Sequence, residues 1–119
     1  MTNNIELREA LILKLVSNKY SEKEEIFKIL TKIQRKSPVS RLTALKQLFA
    51  AATFRPDLTK IESQGLVLCS KKDRLVNPEA SRKIAKELDI PCFEHPTAGH
   101  DLPLDDSSWI VQQIDRFLL

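Results

Sequence analysis

Apolar residues recur at helical spacing through the first 55 positions of the chain. Leu7, Leu11, Ile12 and Leu15 fall three to four residues apart, which predicts a first amphipathic helix ending near Asn18. Ser21 and Glu24 match a Ser-x-x-Glu capping box for a second helix, whose stripe is Ile26, Phe27, Ile29, Leu30 and Ile33. Ser37-Pro38 ends it, because a residue before proline avoids the helical region. Ser40 is the predicted cap of a third helix carrying Leu42, Leu45, Leu48, Phe49 and Ala52, closed by Arg55-Pro56-Asp57.

The pattern changes after that. Gln64 to Ser70 is short and almost continuously apolar, as expected of a strand covered on both faces. Asn77-Pro78-Glu79 is a helix start: a capping Asn, a proline in the first turn, and an acidic residue at the positive end of the helix dipole. Ala80, Ile84, Ala85 and Leu88 form its inner stripe, and Ile90-Pro91-Cys92-Phe93-Glu94 predicts a second strand. Asp105 or Asp106 is positioned to cap a closing helix with an apolar face of Trp109, Ile110, Val111, Ile114, Phe117 and Leu118. The expected class is α/β: N-terminal helices over residues 1–55, then a βαβα unit with two parallel strands over 56–119, joined by a right-handed crossover.

Composition adds bounds. A length of 119 residues with 42% apolar and 29% charged residues fits one ordinary globular domain. No apolar run approaches the roughly 20 residues needed to cross a bilayer. The start Met1-Thr2-Asn3-Asn4-Ile5-Glu6 lacks the features of a secretory signal, so a cytoplasmic location and no membrane partner are expected. Cys69 and Cys92 sit in strand-like runs and read as buried, reduced thiols; no Cys/His spacing suggests zinc, and no metal or cofactor is expected. Residues 1–60 hold 12 Lys/Arg against 6 Asp/Glu, a net of +6, while residues 61–119 hold 7 against 10, a net of −3. Lysines interleaved with glutamates, as in Glu22-Lys23-Glu24-Glu25, read as solvated helix faces rather than an anion-binding surface.

The chemistry lies beyond the carboxyl ends of the two strands, where reactive groups gather in parallel sheets. Asp73 follows the first strand and His100 the second. Neighbouring strands lie about 4.8 Å apart, so these loops can bring the carboxylate to the imidazole. The carboxylate would fix the tautomer, and the opposite ring nitrogen would take a proton from a hydroxyl or thiol nucleophile. No Gly-x-Ser-x-Gly elbow is present to supply one, and Ser63, Ser70, Ser81, Ser107 and Ser108 lack its Gly-flanked turn. His95 reads as a hydrogen-bonded strand-end residue, Trp109 as core packing, and Lys71, Lys72 and Arg74 as a solvated turn.

Two segments, Gly65-Leu66-Val67-Leu68-Cys69-Ser70-Lys71-Lys72-Asp73 through Ser81, and Glu94-His95-Pro96-Thr97-Ala98-Gly99-His100-Asp101-Leu102-Pro103, resemble the last two strands and following loops of the α/β-hydrolase superfamily. The resemblance implies that Asp73 is the triad acid and His100 the triad base. It also implies that residues 1–55 are cap-like, and that the chain is the C-terminal part of a serine hydrolase acting on esters or related acyl bonds. The half carrying the nucleophile is absent, so the chain is expected to be inactive alone and to act on a small ester or acyl substrate only when that half is supplied. The unpaired edge at 65–70 predicts self-association. The alternative is a non-catalytic interaction module or a nucleic-acid-binding helix-turn-helix using Arg35, Lys36, Arg41 and Lys46. Nucleic acid is disfavoured, because the third helix carries Leu, Phe and Ala where a recognition helix needs polar base readers.

Overall fold

Helices dominate the chain. A computed structural model describes residues 2–20 and 22–119, with side chains from residue 5. In order it contains α1 (Thr2–Val16), α2 (Glu24–Lys36), α3 (Arg41–Thr53), a 3-10 turn (Leu58–Lys60), β1 (Val67–Ser70), α4 (Glu79–Leu88), β2 (Cys92–His95) and α5 (Leu102–Leu118). The boundaries follow local chemistry. Ser40 Oγ accepts from Thr43 N at 3.0 Å to start α3, and Asn77 Oδ1 accepts from Glu79 N at 3.0 Å ahead of α4. The capping box expected ahead of α2 falls on Ser21, which lies outside the described residues.

The expected α/β class does not hold. About 60% of the chain is helical in five helices, and the only sheet among the described residues has two strands of four residues each. The chain is a small helix-rich domain and not a portion of an α/β-hydrolase fold. The physical reason is that the strand–helix–strand alternation occurs once. An α/β fold needs a mostly parallel sheet of several strands covered by helices on both faces, and two short strands cannot provide it.

β1 and β2 are parallel, in register from Val67↔Cys92 to Ser70↔His95. Val67 N donates to Pro91 O at 2.9 Å and Lys71 N to His95 O at 3.0 Å, extending the ladder at both ends. α4 crosses between the strands and packs on them, burying Ala85. Its Arg82 guanidinium grips both oxygens of Glu94, at 3.0 and 2.7 Å, and also pairs with Glu79, fastening α4 to β2. α5 rests on β1. α1 and α2 pack on each other, with Arg35 reaching Glu6.

The apolar core is small: among the described residues, Leu13, Cys69, Ala85, Ala98 and Leu102 are the buried hydrophobic ones. Leu7, Leu11, Ile12 and Leu15, the expected inner stripe of α1, are exposed instead. α3 buries no residue and stands away from the other elements, with Phe49 71% exposed. The accessible surface is 9381 Å². A compact chain of 13.6 kDa is expected to expose about 6,600 Å². The radius of gyration, 16.6 Å, likewise exceeds the roughly 13.5 Å of a compact domain of this length. No helix among the described residues is long and apolar enough to cross a membrane.

Candidate functional site

Asp73 leaves the end of β1 and turns its carboxylate back on the chain. Oδ1 accepts from Leu75 N at 2.7 Å and Val76 N at 2.9 Å, so the side chain is fixed by its own turn. Oδ2 is left facing the His100 ring, 2.8 Å from Nδ1. Partial burial by itself would raise the carboxyl's pKa. The Val76 N–H, the His100 ring and the Leu75 N–H outweigh that and hold it below its ordinary value. An ionised carboxylate only accepts, so His100 Nδ1 is the donor. The Asp73 side chain is 11% exposed and that of His100 41%. The inner half of the pair is therefore sheltered, and the ring reaches solvent. His100 Nε2 makes no hydrogen bond among the described residues.

The loop between β2 and α5 sets the position of His100, and the N–H groups of Thr97, Ala98, Gly99 and Asp101 are all bonded along it. His95 Nδ1 accepts from Thr97 N at 3.2 Å and Ala98 N at 2.8 Å. Thr97 O accepts from Asn18 Nδ2 at 3.0 Å, and Ala98 O accepts from the Ser70 hydroxyl. Gly99 N donates to Asp105 Oδ2 at 2.6 Å, and Asp101 N to Val16 O at 2.8 Å. The loop thus lies against the C-terminal end of α1. A Cβ on Gly99 would stand 2.5 Å from Val16 O and 3.0 Å from Asn18 N, so only glycine permits this approach.

Asp105 joins the two. It is 3% exposed, and besides Gly99 N its carboxylate accepts from the Ser17 hydroxyl, Asn18 N at 2.9 Å and Lys19 N at 3.4 Å. Burial acts against its charge, but the Ser17 hydroxyl and the Gly99, Asn18 and Lys19 N–H groups prevail and hold its pKa low. Arg74, the residue after Asp73, donates to Ser17 O at 2.9 Å and so covers an orphan carbonyl at the end of α1. Sequence reasoning placed Asp105 only as a possible helix cap and missed Ser17 and Asn18. The cap of the main part of α5 is Asp106, which accepts from Trp109 N at 3.0 Å; Asp101 caps the preceding turn through Leu104 N at 3.2 Å.

The remaining candidates are occupied elsewhere. Ser70 is buried and its hydroxyl is spent on Ala98 O and Lys72 N. Cys69 and Cys92 are free thiols with sulfurs 3.9 Å apart, and burial, then the neighbouring Cys92, pushes the Cys69 thiol up to about 11. Trp109 meets the His95 ring edge-on, centroids 5.0 Å apart. No serine or cysteine among the described residues donates to His100. No group of three or more His, Cys, Asp or Glu side chains there is arranged to hold a metal ion. Comparison with protein-family models, with curated proteins and with solved structures found no match.

Proposed function

We propose that Asp73 and His100 are the acid and base of a serine-hydrolase-type acyl transfer whose nucleophile lies outside these 119 residues. The observation that carries this is the 2.8 Å contact of His100 Nδ1 with a fixed carboxylate, with Nε2 left unbonded. The carboxylate selects the tautomer with the proton on Nδ1, so Nε2 keeps its lone pair toward solvent. There it takes the proton of a serine or cysteine as that group attacks an ester carbonyl, and returns it to the leaving alcohol. Asp73 stabilises the imidazolium in between. The proposal concerns the chemistry of the pair and a small ester or related acyl substrate, not a fold family.

The test is hydrolysis of a nitrophenyl ester by the chain alone and by the chain joined to a nucleophile-bearing polypeptide. The chain alone is expected to show none. The joined protein is expected to be active, and Asp73→Asn to lower its turnover on the order of 10⁴-fold. Activity that survives His100→Ala, or a joined protein indifferent to both substitutions, refutes the assignment.

A second reading, an interaction module, is favoured by the exposed apolar surface. The excess of about 2,800 Å² over a compact chain lies within the range buried in obligate interfaces. Among the described residues β1 also has only β2 for a neighbour and keeps one edge unpaired. Self-association through the 65–70 edge and the α3 face (Leu45, Leu48, Phe49) is the form this takes. Sedimentation velocity is expected to show a dimer or larger species, and a monomer at all concentrations rejects it.

A further inference from the structure

We infer that His95 is a positioning residue: its unprotonated Nδ1 latches the 96–99 loop in the conformation that delivers His100 to Asp73. The inference rests on the His100–Asp73 reading for its purpose, but not for its test.

The geometry determines the tautomer. Two main-chain N–H groups, those of Thr97 and Ala98, converge on the one Nδ1 atom at 3.2 and 2.8 Å. A nitrogen facing two donors carries no proton, so the ring's proton is on Nε2, which faces Asp106 Oδ2 at 3.4 Å. The imidazole therefore does for this loop what an Asn or Asp side chain does in an Asx turn, accepting from the second and third residues beyond its own. Pro96 fits the arrangement, because the residue between has no N–H to place.

The ring is not interchangeable with an apolar filler. His95 is 8% exposed and packs on the edge of Trp109, so a phenylalanine could occupy much of the space. It would leave two N–H groups without an acceptor, and Ala98 is too buried to turn its own to water. The loop has then to open, and His100 lies two residues beyond Ala98. The two imidazoles of the chain thus hold opposite tautomers: His95 accepts at Nδ1 to set the loop, and His100 donates from Nδ1 to Asp73.

Nitrogen-15 NMR of the full chain tests this directly. In the wild type, His95 is expected to show Nδ1 unprotonated and Nε2 protonated, with the Thr97 and Ala98 amides protected from exchange. His95→Phe is expected to lower that protection about tenfold or more and to remove the Nδ1–H signal of His100 paired to Asp73. His95→Asn, whose Oδ1 sits where Nδ1 was, should restore both. A wild-type His95 protonated at Nδ1 overturns the latch even if the Phe variant does not fold. So does a folded His95→Phe protein that keeps the His100 signal. Neither result touches the hydrolase proposal, whose own failure is read in the ester assay with the latch intact.

Discussion

Asp105→Asn removes the charge that holds the His100 loop to the end of α1. The carboxylate serves four donors: Oδ1 takes the Ser17 hydroxyl and Lys19 N, and Oδ2 takes Asn18 N and Gly99 N. An amide keeps one oxygen. The cheaper orientation leaves that oxygen on Asn18 and Gly99 and turns the NH2 toward Ser17 and Lys19. Ser17 Oγ, which accepts from Tyr20 N at 2.8 Å, has a second lone pair for that NH2, but the Lys19 N–H, a donor facing a donor, has no acceptor. At least one main-chain N–H loses its acceptor and the remaining bonds lose their charge assistance, a cost of about 3 kcal/mol. For 119 residues that corresponds to a fall in Tm of roughly 12 °C. Urea unfolding followed by circular dichroism reads the difference.

The pH dependence supplies a second check on the same variant. The folded-state pKa of Asp105 lies below its unfolded value. Its contribution is therefore complete above the unfolded value of about 3.9 and is lost as pH falls through the lower folded value. The gap between wild type and Asp105→Asn should be constant near neutrality and narrow below about pH 4, where the wild type itself becomes protonated. A neutral-pH difference under about 0.5 kcal/mol refutes the assigned role. So does a gap that widens in acid.

Two further outcomes follow from the same region and from the sheet. Gly99→Ala places a methyl against the Val16 carbonyl, where its Cβ would stand at 2.5 Å. It should cost about 1–3 kcal/mol and lower Tm by at least roughly 4 °C, and an unchanged melting curve contradicts the close approach. Cys69, with its thiol pushed up to about 11, should be alkylated by iodoacetamide on the order of a hundredfold more slowly than an ordinary thiol near pH 8. Mass spectrometry of the modified peptide measures it, and prompt modification of Cys69 in the folded chain rules out its buried, protonated state.

Local signals were readable where they depend on neighbours in sequence. The caps at Ser40 and Asn77, the break at Ser37-Pro38 and the strands near 64–70 and 90–94 all involve residues within a few positions of each other. The meeting of Asp73 with His100 was also foreseeable, because strand spacing limits where the two loops can go. The inner face of α1 was not. That helix is apolar around much of its circumference, with Leu7, Leu11, Ile12, Leu13, Leu15 and Val16, so spacing does not single out Leu13, which is the buried one. The roles of Asp105 and Asp106 were equally hidden. The two are neighbours of the same type, and only the break in α5 at Asp106 (φ −154°, ψ 78°) turns one outward to cap and the other inward to the loop. The α/β class failed for a related reason: a local strand–helix–strand pattern is not a sheet, and the helices around it outweigh it.

Order in this molecule is distributed unevenly, and the unevenness bears on what the site is for. α3 buries nothing, and α1 and α2 leave Leu7, Leu11, Ile29 and Ile33 in water. Between His95 and Asp101, by contrast, three buried side chains (His95, Ser70 and Asp105) and the end of α1 bond the Thr97, Ala98, Gly99 and Asp101 N–H groups and the Ala98 carbonyl. A loop needs no such treatment to connect a strand to a helix; two or three polar residues at the surface suffice. What the extra bonds accomplish is to hold one ring, His100, against one carboxylate while its far nitrogen stays open. A general base works only if its geometry is set before the substrate arrives. Bonds that fix the loop carrying His100 supply the preset geometry that the proposed role as a general base calls for.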